Sequence, residues 1–155
     1  MTVTIYTDGA ARGNPGNGAY GTILIFGEHT KELSEGFRLT TNNRMELLAV
    51  IAGLEALIKN NITVKIFSDS KYVVDAVEKG WVFSWEKKGF KKKKNIDLWK
   101  RFLLVYRKHN VKFTWVKGHD GNFYNERCDK LAVIAAQGNN LKIDLVFENE
   151  RKNSI

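Results

Sequence analysis

A chain of 155 residues, 43% of them hydrophobic and 27% charged, suits one compact domain and excludes a wholly disordered one. No apolar stretch reaches bilayer length, and the opening residues lack the basic-then-apolar order of a signal peptide. A single cysteine, Cys128, excludes an internal disulfide and fits a cytoplasmic setting. There are 25 Lys and Arg against 17 Asp and Glu, a formal net charge of +8, which favours nucleic acid first and an acidic membrane surface second. The excess is local: residues 80–94 hold six lysines against one glutamate, +5 of the +8.

In chain order, residues 3–7 alternate and are rich in β-branched side chains, which predicts a strand. Asp8 and Gly9 follow, and then the turn-forming cluster at 13–18. Residues 19–26 and 31–39 read as two more strands, and the short connections predict an antiparallel meander. The period then changes. Met45, Leu48, Ala49, Ala52 and Ala56 give one apolar face to a helix over about 43–59. Residues 63–68 return to a strand, and a right-handed crossover would lay it parallel to a strand of the meander. Helices are expected over 70–79, about 96–109 and 125–137, with a strand at 111–115. In the tail, Leu141, Ile143 and Leu145 suggest a strand or a docked segment with frayed last residues.

Four carboxylates stand out, and each has an ordinary explanation. Asp8 and Asp69 follow strands, where Asp is common in turns or begins a helix. Glu46 lies three residues after Asn43, the spacing of a capping box. Asp129 lies near the start of its helix, where it favours the dipole. Together they read differently. If the two strands are parallel neighbours, Asp8 and Asp69 emerge at the same carboxyl edge of the sheet, where open α/β folds bind ligands. Converging carboxylates repel unless cations neutralise them, and an all-oxygen ligand set suits hard ions such as Mg²⁺ or Mn²⁺. Spacing alone leaves the convergence open. His119, in a glycine-flanked loop, has a side chain suited to moving a proton near neutral pH, although a solvated loop histidine is the ordinary explanation.

The motifs Tyr6-Thr7-Asp8-Gly9, Gly13-Asn14-Pro15-Gly16 and Thr40-Thr41-Asn42-Asn43-Arg44-Met45-Glu46-Leu47 resemble the bacterial type I ribonucleases H. So do Ser68-Asp69-Ser70, Asn95-Ile96-Asp97-Leu98-Trp99, and Val116-Lys117-Gly118-His119 leading to Asn125-Glu126-Arg127-Cys128-Asp129. They occur in the family's order from about residue 3 to residue 136. The resemblance implies an α/β ribonuclease H-like fold, a mixed five-stranded sheet of order 3-2-1-4-5 flanked by helices, with a basic protrusion. It places the domain at 1–140 and leaves 141–155 as a C-terminal extension, partly disordered. The implied activity is endonucleolytic cleavage of the RNA strand of RNA–DNA hybrids.

By the same resemblance Asp8, Glu46, Asp69 and Asp129 hold two Mg²⁺ ions, for which Mn²⁺ substitutes, around the scissile phosphate. Water attacks in line and leaves a 5′-phosphate and a 3′-hydroxyl. His119 matches the loop histidine that assists proton transfer or product release. Asn14, Asn42 and Asn43 match positions that contact the hybrid, and Thr41 matches the DNA-phosphate position. A protrusion over 80–99, with Lys87, Lys88, Lys91, Lys92, Lys93 and Lys94 among Trp81 and Trp99, grips the DNA strand. Its aromatics have an ordinary role too, holding a small helix to the body, and Trp81 and Trp85 are expected to be at least half structural. The chain departs from the family at two places: the stretch from Phe90 to Asn95 is short, and Lys71 replaces a substrate-reading Gln, which predicts a phosphate contact there instead. A monomer is expected, with no membrane association. Two other classes compete: a hybrid-binding module without catalysis, which would have lost a carboxylate, and a peripheral membrane protein, which would need a continuous basic amphipathic helix.

Overall fold

The structure is a computed structural model that describes residues 1–118 and 121–153. Strand β1 (Thr2–Arg12) runs further than its apolar alternation suggests. Its antiparallel partner β2 (Gly16–Phe26) matches it residue for residue from Thr4↔Ile25 to Arg12↔Asn17, so Asp8 and Gly9 lie within the strand and the turn comes only after Arg12. Strand β3 (His29–Thr40) continues the antiparallel meander beside β2. Helix α1 (Asn42–Glu55) crosses over, and β4 (Thr63–Ser68) then pairs parallel to β1. Three helices follow, α2 (Lys71–Glu78), α3 (Trp81–Lys87) and α4 (Ile96–Tyr106), before β5 (Asn110–Trp115) adds parallel to β4. The sheet order is β3-β2-β1-β4-β5, as expected. Helix α5 (Phe123–Gln137) covers β1, β2 and β3, and α6 (Leu145–Asn153) ends the chain.

Alternation along β1 assigns its faces. Ile5 is buried near Gly53 of α1, whereas Tyr6 stacks on Tyr124 of α5 at 5.0 Å. Asp8 therefore faces the α5 side, two residues on from Tyr6. The main core lies between the sheet and the pair α1 and α4, where Leu47, Val50, Ile51, Trp99 and Phe102 are buried.

Helix starts differ from the expectation in a way that bears on the carboxylates. Thr41, and not Asn43, is the N-cap of α1; its hydroxyl accepts a hydrogen bond from the Arg44 amide at 3.3 Å. Glu46 is thus past the capping positions, and the capping-box explanation fails. The N-cap of α2 is Ser70, whose hydroxyl accepts from the Val73 amide, so Asp69 is not a cap either. Helix α5 begins at Phe123 behind the cap Asn122, which puts Asp129 nearly two turns in, beyond the reach of a terminal dipole effect. At its other end α1 stops at Glu55, short of residue 59, in a tightened turn where the Leu57 amide donates to the Leu54 carbonyl; Ile58 is left 98% exposed.

The segment from Leu141 is bound to the body. Lys142 bridges to Phe37 of β3 in parallel, its amide donating to the Gly36 carbonyl at 2.8 Å while the Arg38 amide donates to its own carbonyl at 3.0 Å. Asp144 is buried and accepts from Arg44 Nε at 2.7 Å, Arg44 Nη2 at 2.9 Å and the Thr40 hydroxyl at 2.8 Å. Glu148 of α6 accepts two hydrogen bonds from Arg38, at 3.0 and 2.8 Å. Of the two expectations for this tail, a strand or a docked segment, the structure shows a docked segment with one β-bridge at Lys142, followed by a helix over 145–153; positions 154 and 155 lie outside the described residues.

Candidate active site

Parallel pairing of β1 with β4 sets the first two carboxylates side by side. Tyr6 pairs with Phe67, and Asp8 and Asp69 each stand two residues beyond that pair, level with one another at the carboxyl edge. The third comes from α1. An added Cβ on Gly9 would lie 2.4 Å from the Met45 carbonyl carbon and 2.7 Å from the Glu46 amide nitrogen, so only glycine lets the first turns of α1 press onto β1. Carboxylate oxygens of Asp8, Glu46 and Asp69 consequently all lie within 4.8 Å of one another. Asp129 reaches the same basin from α5, where the preceding residue, Cys128, rests its thiol on the Tyr6 carbonyl at 3.3 Å. The basin, about 430 Å³, is lined by all four carboxylates together with Asn42, Asn43 and Lys71.

The electrostatics are those of an uncompensated cluster. Burial, then the charges of Asp69 and Asp129, push Asp8 up to about 7. Burial, then Asp8 and Asp69, push Glu46 well above the usual carboxylate range. Asp69 Oδ1 is buried with no hydrogen-bond partner. An added Cβ on Gly118 would come within 2.7 Å of the other Asp69 oxygen, so the loop after β5 closes tightly over it. Closely set oxygens, one of them orphaned, form a donor set that fits hard divalent cations.

Around the basin the predicted contacts fall into distinct settings. Asn42 Oδ1 accepts from the Ala11 amide at 2.6 Å, and Asn14 Oδ1 accepts from the Asn42 amide at 3.2 Å. These two asparagines tie the β1–β2 turn to the start of α1, while Asn43 is exposed beside them. Lys71 is exposed, with its ammonium 4.8 Å from the ring centroid of Trp115. Trp115 was not singled out by the sequence; its indole donates to the Asp69 carbonyl at 3.0 Å and steadies that end of β4. His119 lies outside the described residues.

On the protrusion Lys87, Lys88, Lys91, Lys92, Lys93 and Lys94 are all exposed, and Trp81 is 46% exposed under the Lys79 ammonium. Trp85 packs edge-on against Trp99 at 5.8 Å and carries the Lys93 ammonium at 4.8 Å. Trp99 corrects the expectation. It is 0% exposed, and its indole donates to the Tyr72 hydroxyl at 2.8 Å, so it anchors α4 in the core and cannot reach a nucleic acid. Sequence reasoning also passed over Arg44. A charged residue next to Met45 looks solvated, yet its guanidinium is buried and binds Asp97 as well as Asp144.

Acidic oxygens gathered at the carboxyl edge of a 3-2-1-4-5 sheet, with a lysine-rich flank beside them, define the ribonuclease H-like class of nucleases. Comparison narrows this to a family. The family model described as RNase H matches residues 1–137. The chain is 54% identical to Ribonuclease H of Rippkaea orientalis, over 96% of this chain and 93% of that one. It is 56% identical to Ribonuclease H of Lachnoclostridium phytofermentans, over 96% of this chain and 100% of that one. Among solved structures it resembles LC11-RNase H1 in complex with RNA/DNA hybrid, with a TM-score of 0.64 and 26% identity, covering 86% of this chain and 96% of that one. The chain belongs to the ribonuclease H family, metal-dependent endonucleases that hydrolyse the RNA strand of RNA–DNA hybrids.

Proposed function

We propose that the chain cuts RNA in RNA–DNA hybrids with Asp8, Glu46, Asp69 and Asp129 holding two Mg²⁺ ions, leaving 5′-phosphate and 3′-hydroxyl ends. The observation that carries this is the set of three carboxylates with oxygens within 4.8 Å of one another, joined in one basin by Asp129. When bound, such ions supply the positive charge that activates water at neutral pH and stabilises the leaving oxygen of a phosphodiester. The chain's own part is to fix the donors before substrate arrives: β1 and β4 set Asp8 and Asp69, and α1 sets Glu46. Charge on Asp8 and Glu46, disfavoured by burial and mutual repulsion, would become favourable with cations bound by these carboxylates.

Substrate selection falls to the basin's rim. Asn43, exposed beside Glu46, offers an amide to a 2′-hydroxyl or base edge, the group that separates RNA from DNA. Asn14, Thr41 and Asn42 line the path of the hybrid backbone. Lys71 is placed for a phosphate near the cut, and the protrusion lysines with Trp81 neutralise and support the DNA strand. His119 is assigned proton transfer by resemblance alone. Mn²⁺ would serve in place of Mg²⁺, and the working form is a cytoplasmic monomer. Among the described residues no helix is long and apolar enough to cross a membrane.

The test is cleavage of an end-labelled RNA–DNA hybrid with Mg²⁺, with and without chelator, beside duplex RNA and duplex DNA. Chelator-sensitive cutting of RNA in the hybrid alone is expected. Retained hybrid binding with no cutting in Mg²⁺ or Mn²⁺ would replace the enzyme with a binding module.

A further inference from the structure

Three neighbouring surface cavities share lining residues. The carboxylate basin of about 430 Å³ shares Asn43 with a neighbour of about 530 Å³. That neighbour shares Lys93 with a third, of about 460 Å³, beside α3 and its Trp81 and Trp85. The middle cavity is walled by the start of α1 through Thr41 and Asn43 and by the protrusion through Lys93 and Lys94. Asn14 and Pro15 of the β1–β2 turn, Asn95 and Ile96 at the start of α4, and Phe147, Glu150 and Arg151 of α6 complete the lining.

Helix α6 is held there by contacts with the body of the fold. Arg38 grips Glu148 with two hydrogen bonds, and Asp144, just ahead of the helix, is locked between Arg44 and Thr40. Phe147 and Arg151 are four residues apart and share the helix face turned to the cavity. Among the described lining residues Lys93, Lys94 and Arg151 are cationic and Glu150 is anionic, and Phe147 adds an apolar ring. Ammonium, guanidinium and amide donors suit phosphate oxygens, and an aromatic ring suits the sugar between them.

We propose that α6 is the outer wall of the nucleic-acid groove, with Arg151 and Phe147 receiving the backbone of the DNA strand between Thr41 and the protrusion. The proposal rests on the hybrid-cleaving function proposed above and adds to it an element that the type I motifs, which end near residue 136, do not include.

The test uses the full chain carrying Asp69→Asn, so that the hybrid stays whole, with Arg151→Gln, Arg151→Lys or Phe147→Ala added. Hybrid affinity is measured across a salt series, with thermal melting as a folding control. Loss of one phosphate contact should reduce the slope of log affinity against log salt by about 0.9, or roughly eight-fold in affinity between 1 M and 0.1 M salt. Arg151→Gln should show that loss and Arg151→Lys should keep the slope. Phe147→Ala should weaken binding without changing it. In the cleaving chain Arg151→Gln should raise KM and leave kcat. Parental affinity and slope in both Arg151→Gln and Phe147→Ala would overturn the proposal while leaving hybrid cleavage standing. A parent that neither binds nor cuts hybrid would overturn both.

Discussion

Two charged clusters hang from the first turns of α1, two residues apart, and they are built on opposite principles. At Glu46 three carboxylates converge with no cationic side chain hydrogen-bonded to them among the described residues, and Asp8 and Glu46 are pushed up. At Arg44, only 2% exposed, one guanidinium donates to two carboxylates: to Asp97 at 2.9 and 2.7 Å, and to Asp144 at 2.7 and 2.9 Å. Burial works against charge on Arg44, but its hydrogen bonds to Asp97 and Asp144 outweigh that and push it above its ordinary value. Asp97 shifts the other way: burial raises it, and the hydrogen bonds from Arg44 more than reverse this, leaving it below the usual 3.8. One cluster is paired within the chain, whereas the other has the donor set of a metal site. Buried charge marks function where it is uncompensated and architecture where it is paired.

The largest effect expected from breaking this contrast is on catalysis. Asp8→Asn or Asp69→Asn should lower the single-turnover cleavage rate by roughly three orders of magnitude, the equivalent of several kcal/mol of lost transition-state charge stabilisation. In chelator the Asp8→Asn protein should melt no lower than the parent. Each ~1 kcal/mol of relieved repulsion would raise its midpoint by roughly 2–4 °C. A lower midpoint would show Asp8 to be structural.

Arg44→Ala should do the reverse. It strands Asp97 and Asp144 and should destabilise the fold by about 3–5 kcal/mol in denaturant unfolding. If Arg44→Ala unfolded like the parent, the paired cluster would not be the architectural one. The difference sharpens further with metal. Mg²⁺ at about ten times its Kd should add about 1.4 kcal/mol to parental stability. It should add almost nothing to Asp8→Asn, while an Arg44→Ala chain that remains folded should respond like the parent.

The smallest effect is in acid. Because Asp97 titrates below its unfolded value, its contribution to stability is fully present above about pH 4 and lost as pH falls through the lower, folded value. Unfolding measured between pH 2 and pH 5 should therefore fall less steeply for Asp97→Asn than for the parent. Parallel curves would remove Asp97 from the cluster's energetics.

What the sequence carried and what it hid follow the same division. Strand β4 was legible to the residue, because Val64 and Ile66 alternate cleanly with exposed Thr63 and Lys65. Strand β1 was cut short, since Asp8 and Gly9 look like turn residues to any local rule, and only pairing with β2 keeps them in the sheet. The four carboxylates line one basin, although chain position alone gave each an ordinary use. Hidden were the features made by long-range ion pairs. Arg44 lies on a helix and Glu148 in a polar tail, and neither has a periodicity that announces a partner about a hundred residues away. Trp99 was misplaced for a related reason: an aromatic beside lysines looks like a nucleic-acid platform until its burial is known.

The span between Arg44 and Asp144 also bears on how the protein is made. The two are 100 positions apart in sequence, which at about 5–20 residues per second means a delay of roughly 5–20 s during translation. For that interval the start of α1 holds a guanidinium with at most one of its two acidic partners. The helix that delivers Glu46 is therefore fastened by a residue made long after it, once Asp144 has followed Arg44 out of the ribosome.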